Sequence, residues 1–93
     1  MKKLSELSRS IDNKVALITG ATSGMGLATA KLFSDQDAQV IVTDLNEDKI
    51  NEVVKEISSY GKKCHGIKLD VTNLDEIKSA VDETVKLFGG IDI

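Results

Sequence analysis

Between Thr19 and Gly26 the chain reads Thr-Gly-Ala-Thr-Ser-Gly-Met-Gly, directly after the apolar run Val15-Ala16-Leu17-Ile18. Glycines let a backbone turn sharply and let a ligand approach it closely. Where such a turn opens a helix, unpaired N–H groups and the helix dipole favour a phosphate. The predicted chemistry of the loop is therefore anion binding. Its spacing is Gly-x-x-x-Gly-x-Gly. No Gly-Lys pair follows, so it is not a Walker A loop, and Gly-x-Gly-x-x-Gly is also absent. A second group lies twenty residues beyond Gly24, where Asp44 closes the run Val40-Ile41-Val42-Thr43. A carboxylate at that place can accept hydrogen bonds from both ribose hydroxyls of an adenosine. A 2′-phosphate would instead meet its negative charge, and neither Ser23 nor Leu45 supplies a cation to offset the repulsion. On charge alone NAD is the expected ligand and NADP is disfavoured.

These groups need elements to hold them. Val15–Ile18 has the unbroken apolar character of a strand buried on both faces. Met25, Ala28, Thr29, Leu32 and Phe33 recur at three- and four-residue steps and predict a helix over 24–36 with that side apolar. Strand 40–43 follows. Asn46 is the expected cap of the next helix, with Glu47 and Asp48 in its first turn. Ile50, Val53, Val54 and Ile57 form its buried side, and Gly61 is placed to end it. A third strand spans roughly 63–69 and leads into Asp70-Val71. Thr72-Asn73-Leu74-Asp75 has the form of a capping box, with Thr72 as cap and Asp75 reaching back. Leu74, Ile77, Val81, Val85 and Phe88 give the last helix an apolar side, Gly89-Gly90 ends it, and Ile91-Asp92-Ile93 reads as a strand beginning.

Strand and helix alternating in this order imply parallel strands joined by right-handed crossovers. The expected fold class is α/β, a Rossmann-type doubly wound parallel sheet of which the chain holds the N-terminal half. Residues 1–13 read as a polar leader and 14–93 as a partial dinucleotide-binding domain that stops at the start of strand 4. That strand would lie beside strand 1. Stopping after three residues, it would leave strand 1 a poorly covered edge open to self-association.

Composition excludes other classes. With 12 Lys and Arg against 15 Asp and Glu, the net charge of −3 offers no footprint for nucleic acid or anionic lipid. The single Cys64 cannot close an intrachain disulfide, and with one histidine it lacks the ligands of a structural zinc site, so no metal is expected. No apolar stretch is long enough for a membrane span or an export signal. A cytoplasmic location is the expectation. Cys64 and His65 are adjacent in a strand, so they point to opposite faces and do not pair as nucleophile and base.

Thr-Gly-x-x-x-Gly-x-Gly, the strand-terminal Asp44, Leu69-Asp70-Val71-Thr72 and Phe88-Gly89-Gly90-Ile91-Asp92 together resemble the short-chain dehydrogenase/reductase family over residues 14–93. The resemblance implies an oxidoreductase that moves hydride between NAD(P) and an alcohol or carbonyl carbon, and that commonly forms dimers or tetramers. It assigns Gly20, Thr22, Ser23, Gly24, Met25 and Gly26 to a pyrophosphate loop, Asp44 and Leu45 to the ribose end, and Asp70 with Val71 to the adenine pocket. The family's Asn-Asn-Ala-Gly stretch, later Asn, Ser and Tyr-x-x-x-Lys pair are not in the chain. Tyr60 is followed four places on by Cys64, so it does not meet that pattern. The chain is thus expected to be the cofactor-binding portion, with no catalytic residue and no turnover of its own. Asn13 and Asp37 stand where relatives often carry glycine, and both residue types tolerate left-handed backbone.

Three other readings stand beside this one. The chain could be a dinucleotide-binding module that never turns over, a truncated product with no independent function, or a nucleoside-binding methyltransferase. The loop spacing and Asp70-Val71 count against the methyltransferase. Asp44 alone could be a solvated turn residue, and Asp70 could serve only the helix that follows it. Their shared place at strand C-terminal ends argues for ligand binding, because open α/β sheets bind ligands along that edge.

Overall fold

The structure, a computed structural model, describes residues 11–93. The expected leader falls mostly outside the described residues. Three parallel strands, β1 (Val15–Ile18), β2 (Gln39–Asp44) and β3 (Cys64–Lys68), alternate with α1 (Gly24–Asp35), α2 (Glu47–Ser59) and α3 (Leu74–Phe88). The strands lie in the order β1-β2-β3, with Val15 opposite Gln39 and Val40 opposite Cys64. On the other side of β1, the Leu17 N–H donates to the Ile93 carbonyl, and the Val15 carbonyl accepts from Asp92 and Ile93. Residues 92 and 93 therefore take the place expected of strand 4 and cover the outer edge of β1 at Val15 and Leu17. The observed order is that of a Rossmann-type sheet.

One face of the sheet holds the main core. Val40 and Val42 of β2 pack there with Ala30 of α1 and with Ile50, Val53 and Ile57 of α2, all buried. Burying one such aliphatic side chain contributes about 1.5–3 kcal/mol, which is what keeps the helices on the sheet. Cys64 and Ile18 join this cluster from the flanking strands. The next residue along β3, His65, points the other way and bonds Glu83 of α3 at 2.9 Å. Thus α3 covers the opposite face, as alternation along a strand requires.

Two helix faces differ from expectation. On α1, Met25 and Leu32 are exposed, and the residues against the sheet are Ala30 and Ser34, flanked by half-buried Leu27 and Phe33. The cause is Gly26, whose added Cβ would run into the Gly20 carbonyl and lie 3.2 Å from the Ala21 Cα. A helix that close to its strand must present small side chains. On α3, Leu74, Val81 and Val85 are exposed, while Ala80 and Thr84 are buried and Ile77 and Phe88 half-buried. Its cap also differs: Asn73, not Thr72, accepts from the Glu76 N–H at 3.2 Å, because the Thr72 hydroxyl is engaged by Asp70 at 2.7 Å. Glu76, not Asp75, reaches back, accepting the Asp70 N–H at 3.2 Å.

Other punctuation agrees with the expectation. Asn46 caps α2 by accepting from the Lys49 N–H, and Gly61 (φ +76) and Gly89 (φ +84) stand in left-handed backbone just past α2 and α3. Asn13 (φ 61) and Asp37 (φ 67) take the same conformation without glycine.

Candidate functional site

The C-terminal ends of the three strands lie side by side and are stitched together beyond the regular pairing. The Ala21 N–H donates to the Thr43 carbonyl at 3.1 Å, and the buried Thr43 hydroxyl donates to the Ile18 carbonyl at 2.8 Å. The Leu69 N–H donates to the Asp44 carbonyl at 2.8 Å, which sets Asp70 next along the same edge. The three groups singled out from sequence, the glycine loop, Asp44-Leu45 and Asp70-Val71, thus share one edge of the sheet.

Within the loop, Gly20 (φ +60) and Gly24 (φ +57) adopt left-handed backbone, and a side chain added at either would meet nothing within 4 Å. The space above the turn is open. Ser23 is the cap of α1, yet its side chain makes no capping bond, and the first turn holds no acidic residue. By contrast, α2 and α3 have asparagine caps and two acids each in their first turns. The N–H groups at the start of α1, around Ser23, Gly24, Met25 and Gly26, have no capping side chain and sit at the positive end of the helix. Met25 is 86% exposed, so it forms no part of the core.

Asp44 is where the loop and β2 meet. Its Oδ2 accepts from the Thr22 hydroxyl at 2.5 Å and from the Thr22 N–H at 3.2 Å, and its Oδ1 accepts from the Leu45 N–H at 2.8 Å. The Thr22 hydroxyl is the largest influence holding the Asp44 carboxyl below the usual carboxylate range, followed by the Leu45 N–H, with the Thr22 N–H and the charge of Lys49 adding to it. Asp44 is therefore ionised at neutral pH. Leu45 itself is exposed and uncharged.

Asp70 lies at the end of β3 in a tight turn. Its Oδ1 accepts from the Thr72 hydroxyl at 2.7 Å and the Thr72 N–H at 2.9 Å, and these bonds lower its pKa as well. Val71 beside it is exposed. Asp70 thus takes part in starting α3, while remaining on the same edge as Asp44.

Sequence reasoning placed Thr22 in the loop but did not foresee its bond to Asp44. A hydroxyl in a turn facing a strand-end acid is the signal that could have found it. Lys49 was also missed, although it lies five residues past Asp44, in the first turn of α2, and acts on its charge. Tyr60 and Lys62 line a separate cleft of about 340 Å³ with residues of α1 and α2, and take no part in this edge. No helix among the described residues is long and apolar enough to cross a membrane.

Comparison with known proteins adds an independent line. A family model of short chain dehydrogenases matches residues 14–93. The secoisolariciresinol dehydrogenase of Forsythia intermedia is 43% identical over 90 residues, covering 97% of this chain and 32% of that enzyme. Among solved structures, a hydroxysteroid dehydrogenase from Escherichia coli superposes with a TM-score of 0.85 at 35% identity, covering 88% of this chain and 34% of its own. A short chain dehydrogenase/reductase from Burkholderia phymatum in complex with NAD gives a TM-score of 0.86 at 29% identity, covering 88% of this chain and 29% of its own. The chain spans about a third of the length of these relatives. With a match that runs from Lys14 to Ile93 and takes in the glycine loop, Asp44 and Asp70, the chain belongs to the short chain dehydrogenase family.

Proposed function

We propose that this chain is the cofactor-binding portion of an NAD-dependent oxidoreductase, and that the edge formed by the glycine loop, Asp44 and Asp70 receives the dinucleotide. The observation that carries the reading is the ionised Asp44 carboxylate, bonded to the glycine loop at the end of β2. The residues fit the group: the loop is open above Gly20 and Gly24, and the first turn of α1 holds no acidic residue and no side-chain cap. When bound, NAD supplies the hydride acceptor or donor for an alcohol or carbonyl substrate. The backbone N–H groups at Ser23, Gly24, Met25 and Gly26 hold the pyrophosphate. Asp44, with Leu45 beside it, takes the ribose hydroxyls and repels a 2′-phosphate. Asp70 and the exposed Val71 border the adenine. The complex of the Burkholderia relative with NAD supports this choice of ligand. The Tyr-x-x-x-Lys pattern that the family uses on the substrate side is not among these 93 residues, so the chain alone is proposed to carry out no turnover.

Titration calorimetry of the chain with NAD and NADP tests the reading. NAD is expected to bind more tightly than NADP. Asp44→Ala should weaken NAD roughly tenfold or more, the worth of a hydrogen bond to a charged acceptor. Replacing Asp44 by Ala and Leu45 by Arg together should turn the preference toward NADP. Equal affinity for the two dinucleotides in the unaltered chain, or NAD binding indifferent to Asp44→Ala, would remove Asp44 from the ribose.

A further inference from the structure

The cleft of about 340 Å³ between α1 and α2 lies toward the C-terminal ends of both helices, whose residues lead into the starts of β2 and β3. It is thus at the opposite end of the strands from Asp44. Its volume falls at the small end of the range for small-molecule sites, about 300–1,000 Å³. Leu32, Ile57 and the ring of Tyr60 make its walls largely apolar. Ser34 is the exception: it lines the cleft, is 3% exposed, and its hydroxyl has no hydrogen-bond partner. The other buried hydroxyls among the described residues are matched, Thr43 to the Ile18 carbonyl and Thr84 to the Ala80 carbonyl four residues back in its own helix, each at 2.8 Å. Helical hydroxyls commonly turn back in that way, and Thr29 on α1 does so to Met25 at 2.8 Å. Ser34 does not, although the Ala30 carbonyl stands at the same spacing. A buried polar group left without a partner costs free energy until something supplies one.

The charges around the cleft select against an ionic ligand. Lys31 of α1 meets Glu56 of α2 at 2.7 Å, and Lys62, after α2, meets Asp37, after α1, at 2.7 Å. Asp35 lines the cleft as well, and its charge reaches Lys62. Three carboxylates against two ammonium groups repel an anion, and a cation would give up its water to apolar walls. We propose that this cleft is a binding site for a compact, neutral ring compound carrying one hydroxyl group, with the ring against Leu32, Ile57 and Tyr60 and the ligand hydroxyl on that of Ser34. A serine hydroxyl both donates and accepts, so it pairs with such a group in either sense.

Titration of the chain with phenol, toluene and benzoate, followed by nitrogen-15 NMR, carries the test. Phenol should shift the amides of Lys31, Leu32, Ser34, Ile57, Tyr60 and Lys62 and leave those of Gly20, Gly24 and Asp44 in place. Benzoate, of similar size but charged, should bind more weakly than phenol. Ser34→Ala removes the hydroxyl and little else: the Kd for phenol should rise roughly fivefold, the worth of one hydrogen bond, while toluene, which offers that hydroxyl nothing, should bind as before. The unfolding midpoint of Ser34→Ala should equal or exceed that of the unaltered chain, because the variant buries no unmatched group. Tyr60→Ala, at a position 70% exposed, keeps the fold and should weaken phenol and toluene alike. The proposal is wrong if phenol shifts none of the cleft amides, if benzoate binds as tightly as phenol, or if Ser34→Ala leaves the phenol to toluene ratio unchanged. A clearly lowered midpoint in Ser34→Ala would also overturn it, since the hydroxyl would then be bonded within the protein, and so would unaltered binding of both rings by Tyr60→Ala. None of these readouts uses a dinucleotide, so their outcome is separate from that of the ribose assignment.

Discussion

Cys64 and His65 are neighbours in β3 and face different surroundings, which decides what each can do. Cys64 sits against the core on the face of β3 that α2 covers, and burial pushes its thiol up to about 11. The thiolate is the reactive form, so from an ordinary value of 9.0 the folded chain holds on the order of a hundredfold fewer thiolates at pH 8. Alkylation of the native chain at that pH should be slower than that of the denatured chain by a similar factor. Equal rates would mean that Cys64 is not held in the core. Asp44 and Asp70 show the reverse case, in which donated hydrogen bonds lower the pKa. What these bonds add to stability is present above the unfolded carboxylate pKa and is lost as pH falls through the lower folded value. The opposed directions of Cys64 and His65 could be read from strand alternation, since only the parity of two positions was needed. The bond from Thr22 to Asp44 could not, because it depends on how the turn after β1 leans toward β2, and no periodicity records that.

Elements were legible where burial writes a pattern, and obscure where small residues do the packing. Val40, Ile41 and Val42 announce a central strand because both faces of β2 are covered. Ile50, Val53 and Ile57 announce the inner side of α2 because large apolar side chains recur there at helical spacing and are buried. The inner side of α1 runs through Gly26, Ala30 and Ser34, which carry no hydrophobic periodicity, so the exposed Met25 and Leu32 drew the reading to the wrong side. Gly66 shows the same close approach from β3. An added Cβ would stand 2.5 Å from Ile50 Cγ2 and 3.0 Å from Val54 Cγ2. Gly66→Ala should therefore cost about 1–3 kcal/mol in urea unfolding, the range for overpacking a tight contact. Gly26→Ala meets backbone instead of side chain, so it should cost more than Gly66→Ala and should also disturb dinucleotide binding, because α1 must shift away from the loop. A Gly26→Ala chain as stable as the unaltered one would contradict the close packing of α1.

At the scale of the whole molecule, the exposed apolar residues are distributed on both helix layers. Leu32 on α1 and Val81, Val85 and Leu87 on α3 face outward. Apolar surface on both sides of a small sheet favours association. Sedimentation of the chain should show assembly that grows with concentration and recedes when Leu32 and Val85 are replaced by lysine, with little change in unfolding midpoint. Assembly unaffected by those changes would point to the strand edge at β1 instead. That edge is partly closed already. The Val15 N–H donates to Asp92 Oδ2 at 2.9 Å, a bond between residues 77 apart in sequence, and the Val15 carbonyl accepts from the same segment. Closing so long a loop brings little reward until the elements between are in place. The clasp at Val15 is thus expected to form late in folding and to open early, so that its amide proton exchanges ahead of those of β2 and serves as a clock for the final closure of the sheet.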